Sequence, residues 1–243
     1  MIYNNILQKK KNKKKQLALL IDPDKQNTQS LIEVVQKTNE NKVDFILIGG
    51  SIISNSINDV IETVKKNCSI PIVLFPGSLL QVSNKADGIL LLSLISGRNP
   101  DFLIGNHVVA APLLKKSKLE ILSTGYILIN SGVSTSVAYM SNSTPIPYDK
   151  TDIAVATAIA GEMLGHKLIY LEAGSGAPKP VDSKMVEQVK QNINVPLIVG
   201  GGISTKNDLI SICDAGADII VIGTAFEKNL NLLNEFSEVI QNY

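Results

Sequence analysis

Two carboxylates, a phenol and four glycine-rich turns are spaced along this 243-residue chain in a way that chemistry can use. Asp22 stands in Ile21-Asp22-Pro23-Asp24-Lys25, directly after a short apolar run. A carboxylate at a strand end is a natural ligand for a hard divalent cation, and the hydroxyl of Ser51, in Gly49-Gly50-Ser51 after the second such run, is a candidate companion. The alternative is that Asp22 caps the following helix, although Asp24, nearer that helix, is the more natural cap. Tyr170 and Glu172 are two residues apart in Tyr170-Leu171-Glu172-Ala173-Gly174-Ser175-Gly176. On a strand they share one face and Leu171 takes the other. A phenol and a carboxylate side by side can grip a polyol and accept a proton from a hydroxyl nucleophile. Gly174 and Gly176 free backbone N–H groups for an anion. Two more turns, Gly200-Gly201-Gly202-Ile203-Ser204 and Ile222-Gly223-Thr224-Ala225, are of the kind that cradles phosphate.

These residues act together only if the fold gathers them. Eight short apolar runs recur: Leu17–Ile21, Asp44–Ile48, Ile70–Phe75, Gly88–Leu92, Ile121–Ile129, Lys167–Leu171, Val195–Val199 and Asp218–Ile222. Apolar on both faces, they read as strands of a parallel sheet. Between them Thr28–Glu40, Asn55–Lys66, Thr151–Leu164, Ser183–Gln191 and Thr205–Ala215 read as amphipathic helices. Eight strand–helix units in one domain of this length predict a (β/α)₈ TIM-like barrel spanning 1–243, with active-site residues at the strands' C-terminal ends. A doubly wound open sheet would need a glycine fingerprint after the first strand, and Leu20-Ile21-Asp22-Pro23-Asp24 has none. The stretch from Phe75 to Gly88 is too short for an ordinary helix, so the third crossover is irregular. Ser131–Lys150 reads as a long loop, a place where function collects.

Composition narrows the class. Hydrophobic residues are 44%, charged residues 19%, and the formal net charge is +1. That balance disfavours nucleic acid as a partner, and no apolar run approaches the roughly 20 residues of a membrane span. Two cysteines without a pairing pattern, and no apolar leader segment, fit a cytoplasmic protein. His107 reads as a packed residue of an apolar helix, His166 as a neighbour of a helix C-terminus, and Cys213 as core. The lysines from Lys9 to Lys15 read as a solvated segment at the barrel's lower end, with attraction to anionic lipid as the alternative.

Taken in order, Asp22-Pro23-Asp24-Lys25, Gly49-Gly50-Ser51, Arg98-Asn99-Pro100, Tyr170 through Gly176, Gly200-Gly201-Gly202-Ile203 and Gly223-Thr224 resemble the geranylgeranylglyceryl phosphate synthases and their heptaprenylglyceryl relatives. The likeness runs from Leu17 to Glu227. The Tyr-Leu-Glu-Ala-Gly-Ser-Gly string and the run Ser123–Ile129 point to the geranylgeranyl branch. The resemblance implies a barrel enzyme that joins the hydroxyl of sn-glycerol 1-phosphate to C1 of a polyprenyl diphosphate with Mg²⁺. It implies Asp22 and Ser51 at the magnesium. It implies Tyr170, Leu171, Glu172, Ala173, Gly174, Ser175, Gly176, Gly201, Gly202, Gly223 and Thr224 around the glycerol phosphate. Glu172 and Tyr170 would carry the catalysis. A homo-oligomer and peripheral membrane contact are further expectations. Candidates for the tail's groove are the irregular third crossover and the segment Leu94–Val109. Ser204 stands where the family often has Arg, and Ser131-Gly132-Val133 where it often has Pro-Gly. A sugar-phosphate isomerase on a similar barrel and a non-catalytic prenyl-lipid binder are the competing readings.

Overall fold

Every strand of the barrel buries alternate residues in two different cores, and this alternation aims the site. In the computed structural model, which describes residues 1–243, the strands are β1 (Gln16–Ile21), β2 (Phe45–Ile48), β3 (Ile72–Leu74), β4 (Gly88–Leu94), β5 (Glu120–Leu128), β6 (Leu168–Glu172), β7 (Leu197–Gly200) and β8 (Ile219–Ile222). All pair in parallel in chain order, and β8 closes on β1 with Gln16 opposite Ile219. Ala18, Leu47, Val73, Leu90, Leu122, Leu168, Ile198 and Ile219 fill the interior. Leu19, Ile46, Leu74, Ile89, Leu171 and Ile220 face outward, into the layer beneath the helices.

The helices are α1 (Ile2–Lys11), α2 (Thr28–Glu40), α3 (Ile57–Asn67), α4 (Asn106–Lys116), α5 (Ser136–Met140), α6 (Thr151–Met163), α7 (Ser183–Asn192), α8 (Lys206–Asp214), α9 (Thr224–Lys228) and α10 (Leu232–Gln241). The third crossover carries only a 3₁₀ turn, Leu79–Gln81, as its length requires. The long segment after β5 contains α5, capped by Thr135, and one parallel bridge between Ile129 and Ile146. Cys213 is core, and burial pushes its thiol up to about 12. His166 follows α6, and its N–H closes the helix end on the Gly161 carbonyl.

Two expectations need correction. The start of the lysine run belongs to a helix, since α1 extends to Lys11 and plugs the lower end of the barrel with Ile6, which is 1% exposed. The α1 N–H groups of Ile2 and Tyr3 donate to the Glu120 carboxylate, Lys9 pairs with Asp44, and Lys10 Nζ lies 2.7 Å from the Asn194 carbonyl. Tertiary anchors thus hold a helix that its lysines disguise. Nor does Asp24 cap α2. Asn27 does so in a reciprocal box with Ser30. The Asp24 carboxylate instead accepts from the Ser54 N–H and hydroxyl and from the Asn55 N–H, tying the loop after β1 to the loop after β2.

A repeated clamp closes the lower seams. Asp44, Asp87 and Asp218 each stand just before a strand and accept the N–H of Leu17, Ile72 and Leu197 at 2.9, 2.8 and 2.8 Å. Each returns its own N–H to the same residue's carbonyl at 2.9 Å. Each carboxylate also meets a lysine: Lys9, Lys65 or Lys190. These clamps satisfy the strand-end N–H groups that would otherwise be buried unpaired. Burial lowers the Lys190 pKa and the charge of Asp218, 2.5 Å away, opposes that shift. Asp218→Ala removes the acceptor and strands this cation, so urea unfolding should show a loss of about 2–4 kcal/mol. A change within about 0.5 kcal/mol, the scale of an ordinary surface substitution, would show that the clamp does not hold this seam.

Candidate active site

The inward register of each strand ends at the C-terminal mouth, and the residues there line one cavity of about 620 Å³. β1 contributes Leu20 and, just beyond its end, Asp22. β6 contributes Tyr170 and Glu172, and the turns after β7 and β8 contribute Gly201, Gly202, Gly223 and Thr224. Gly174, Ser175, Gly176 and Ser51 complete the shared wall. Leu171 and Ala173 are not brought there. Both are buried in the outer core, because the pleat that turns Glu172 inward turns its neighbours outward.

Glu172 is the buried charge of this mouth. Its Oε1 accepts the Gly174 N–H at 2.6 Å. Burial raises its pKa above the ordinary glutamate value, and the Gly174 N–H opposes that rise. Tyr170 is fully buried, its hydroxyl has no hydrogen-bond partner within 3.5 Å, and its pKa is pushed well up by burial first and then by the Glu172 charge. The phenol therefore stays protonated, with an O–H to donate and an oxygen that can still accept. Room for the pair comes from β7. A Cβ on Gly200 would lie 2.3 Å from the Tyr170 hydroxyl, and one on Gly201 would lie 2.4 Å from Glu172 Oε1. Gly201 and Gly202 also take φ of +80° and +70°, open to glycine.

A candidate anion cradle follows from this backbone. The N–H groups of Gly201, Gly202 and Gly223 find no acceptor in the chain's own backbone. Together with α9, the short extra helix after β8, they form the arrangement that barrels use for phosphate. The Ser175 hydroxyl lies 3.1 Å from that of Thr224 and ties the β6 and β8 loops together. Ser204, at the Arg position of the resemblance, is held by the Asp208 carboxylate through its N–H and hydroxyl.

Across the mouth, Asp22 Oδ1 accepts the Asp24 N–H at 3.1 Å and Oδ2 lies 3.6 Å from Lys25 Nζ. Lys25 also reaches Glu227 at 3.2 Å. Lys25 lines the cavity and was hidden in plain sight, inside the Asp-Pro-Asp-Lys string. Gln81 carried no sequence signal at all. Its amide accepts from Gly50 and Gly77 and donates to the Gly50 carbonyl at 2.7 Å, fixing the loop that presents Ser51. Phe75 and Tyr126 are further unheralded members. Phe75 stacks on Tyr170 at 5.6 Å between centroids, and Tyr126 meets Tyr170 edge-on at 5.2 Å.

From this polar end the cavity continues over an apolar wall of Leu79, Val82, Ile89, Leu91, Phe102, Ala110 and Leu114. Without a helix in the third crossover, Ile89 and Leu91 on the outer face of β4 border the cavity, and α4 contributes Ala110 and Leu114. His107 stands in that wall, half-buried, with Nε2 2.9 Å from the Ser93 hydroxyl. Burial lowers its pKa.

The PcrB family pattern matches residues 8–240. The chain belongs to this family. It is 50% identical to the geranylgeranylglyceryl phosphate synthase of Chitinophaga pinensis over 98% of this chain and 95% of that one. It is 41% identical to the synthase of Pyrococcus furiosus over 91% of this chain and 88% of that one. Its fold is similar to the crystal structure of (S)-3-O-geranylgeranylglyceryl phosphate synthase from Thermoplasma acidophilum in complex with sn-glycerol-1-phosphate. The TM-score is 0.94 at 33% identity, covering 100% of this chain and 99% of that one. The N-acetylmannosamine-6-phosphate 2-epimerase of Clostridium perfringens, at 16% identity and TM-score 0.58, shares the fold alone.

Gly201→Ala tests the cradle. The methyl would crowd Glu172, and an L-residue at this φ costs about 1–2 kcal/mol. The variant should stay folded by circular dichroism and bind inorganic phosphate at least about tenfold more weakly in calorimetry, the equivalent of about 1.4 kcal/mol. Unchanged phosphate affinity would remove this turn from the anion site.

Proposed function

We propose that this PcrB family member is a prenyltransferase of lipid biosynthesis that joins the hydroxyl of sn-glycerol 1-phosphate to C1 of a polyprenyl diphosphate, geranylgeranyl diphosphate being the expected donor. The observation that carries the reading is one cavity with an anion cradle, a buried carboxylate–phenol pair and an apolar branch in sequence. The Thermoplasma acidophilum relative with sn-glycerol-1-phosphate bound supports the acceptor. A sugar-phosphate isomerase would have no use for the apolar branch.

In this reading the Gly201, Gly202 and Gly223 N–H groups hold the acceptor's phosphate. Tyr170 and Glu172 orient its hydroxyl. The hydroxyl oxygen bonds to C1 of the donor, the C1–oxygen bond to diphosphate breaks, and the proton passes to the Glu172 carboxylate. Fixing the hydroxyl against C1 supplies several kcal/mol of the rate enhancement. Asp22 and Ser51 would hold Mg²⁺, because a carboxylate and a hydroxyl on one cavity wall are the hard oxygen donors such an ion takes. An ion held there would supply positive charge to the diphosphate as it leaves. Lys25, beside Asp22, adds a second positive charge for that group.

Self-association belongs to the same proposal. The outer faces of α4 and α6 expose Val108, Val109, Leu113, Ile153 and Met163, with Leu164 just past the end of α6, and helices apolar on both sides normally have a covering partner. No helix is long and apolar enough to cross a membrane. The two free cysteines, Cys68 and Cys213, support residence in the reducing cytoplasm.

Wild-type protein with geranylgeranyl diphosphate and sn-glycerol 1-phosphate should yield an ether product in magnesium and none in EDTA or with sn-glycerol 3-phosphate. No product from any prenyl donor would return the choice to the isomerase or binding-module readings. Glu172→Gln should lower turnover by about 10²–10⁴-fold. A base must be ionised, so the raised Glu172 pKa places the acidic fall of kcat/KM above the ordinary carboxylate range. The neutral form is the better folded one, so the Glu172 contribution to stability is largest at low pH and is lost as pH rises through the raised value. A flat acidic limb, or near-wild-type turnover in the variant, would leave Glu172 a structural role.

A further inference from the structure

Three carboxylates line the cavity, and the proposed function employs Asp22 and Glu172. Glu227 is the third. It lies on α9, whose first turn folds back on Gly223: the Phe226 and Glu227 N–H groups donate to the Gly223 carbonyl at 2.9 and 3.2 Å. Its side chain crosses to the loop after β1, where Lys25 Nζ donates to Oε2 at 3.2 Å and to Oε1 at 3.4 Å. The chain itself places Lys25 beside Asp22. Pro23–Lys25 form a 3₁₀ turn, closed by the Lys25 N–H on the Asp22 carbonyl at 3.2 Å, and Asp24 pins that turn to Ser54 and Asn55. The backbone is thereby fixed, and only the direction of the Lys25 side chain is open. Asp22 Oδ1 accepts the Asp24 N–H, whereas Oδ2 accepts no hydrogen bond. A Cβ on Gly50 would lie 3.4 Å from this carboxylate, which rests against the loop that presents Ser51. Lys25 Nζ stops 3.6 Å from Oδ2, outside hydrogen-bond reach, because its hydrogen bonds go to Glu227.

We infer that Glu227 is a positioning residue that holds the Lys25 ammonium off Asp22 and thereby keeps Oδ2 open to a divalent cation. The inference rests on the reading that puts Mg²⁺ at Asp22 and Ser51. An ammonium folded onto Oδ2 would take the lone pairs that the ion needs and would repel the ion besides. Asp22 is the other carboxylate paired with Lys25, so it receives the ammonium when Glu227 loses its charge. With Glu227 ionised, Lys25 keeps its charge in the mouth, available to a leaving diphosphate, without competing for the metal's oxygen. The bridge runs from the β1 loop to the helix behind the Gly223 turn, so one ion pair spans the Mg²⁺ side and the phosphate side of the cavity.

The test is Mn²⁺ binding to the full-length protein without substrates, read by electron paramagnetic resonance, with Mn²⁺ standing in for Mg²⁺ at an oxygen site. Glu227→Gln should bind Mn²⁺ about fivefold more weakly than wild type. Lys25→Met combined with Glu227→Gln should bind it as wild type does, since no ammonium remains to compete. Metal-free inorganic diphosphate, measured by calorimetry, should bind Glu227→Gln no more weakly than wild type, because a negative charge has left the mouth. A variant whose mouth had merely loosened would lose both ligands. Unchanged Mn²⁺ affinity in Glu227→Gln, a loss that persists in the double variant, or a parallel loss of diphosphate overturns the inference. A wild type that binds no Mn²⁺, or binding that survives Asp22→Asn, removes the metal from Asp22 and the inference with it. Mn²⁺ affinities that follow the expected order, with no ether product from any prenyl donor, would keep the positioning role and reject the transfer reading.

Discussion

The mouth of this barrel depends on one close approach. β6 turns a phenol and a carboxylate inward at the level where β7 has no side chains at all. Glu172 stands opposite Gly200 in the register, and the missing Cβ atoms at Gly200 and Gly201 are the space that Tyr170 and Glu172 occupy. Gly201, with Gly202 beside it, also leaves its N–H without an acceptor in the chain's own backbone. In the proposed function, proton acceptor and anion cradle are therefore one construction. The carboxylate can be buried because the Gly174 N–H meets it, and that N–H is free because the chain leaves β6 through a glycine at φ +104°.

A second feature is an omission. A barrel normally covers each strand pair with a helix, and here the third crossover replaces it with a turn. The outer face of β4 loses its cover, and the apolar surface that would have been core becomes a wall. Gln81, at the end of that turn, then holds the β2 loop in place of a helix. A site that must take a small phosphorylated polyol and a long hydrocarbon needs both an inside and an outside to the barrel, and dropping one helix connects them.

Much of this is legible in the sequence. Strand positions followed from runs apolar on both faces, because parallel strands are buried twice. The inward pair Tyr170 and Glu172 followed from a period of two, and the same rule excludes Leu171 and Ala173 from the cavity. What could not be read depended on distant partners. α1 is held by Glu120, more than a hundred residues away, and its lysines masked its one plugging residue, Ile6. Asp24 looked like a cap because caps are local, yet its partners are Ser54 and Asn55. Phe75, Tyr126, Lys25 and Gln81 join the site only once the barrel closes.

α4 has two apolar faces with different neighbours. Ala110 and Leu114 look into the cavity, and Val108, Val109 and Leu113 look away from the barrel. In the proposed function one helix therefore carries both the wall against which a hydrocarbon tail would pack and the surface on which copies of the chain would meet. Anything that shifts or steadies the helix from one side is felt on the other, and such coupling is reciprocal by thermodynamic necessity. Tail length and assembly would then be linked quantities: a longer tail that pressed on α4 would change the association constant by the same factor by which association changed the affinity for that tail.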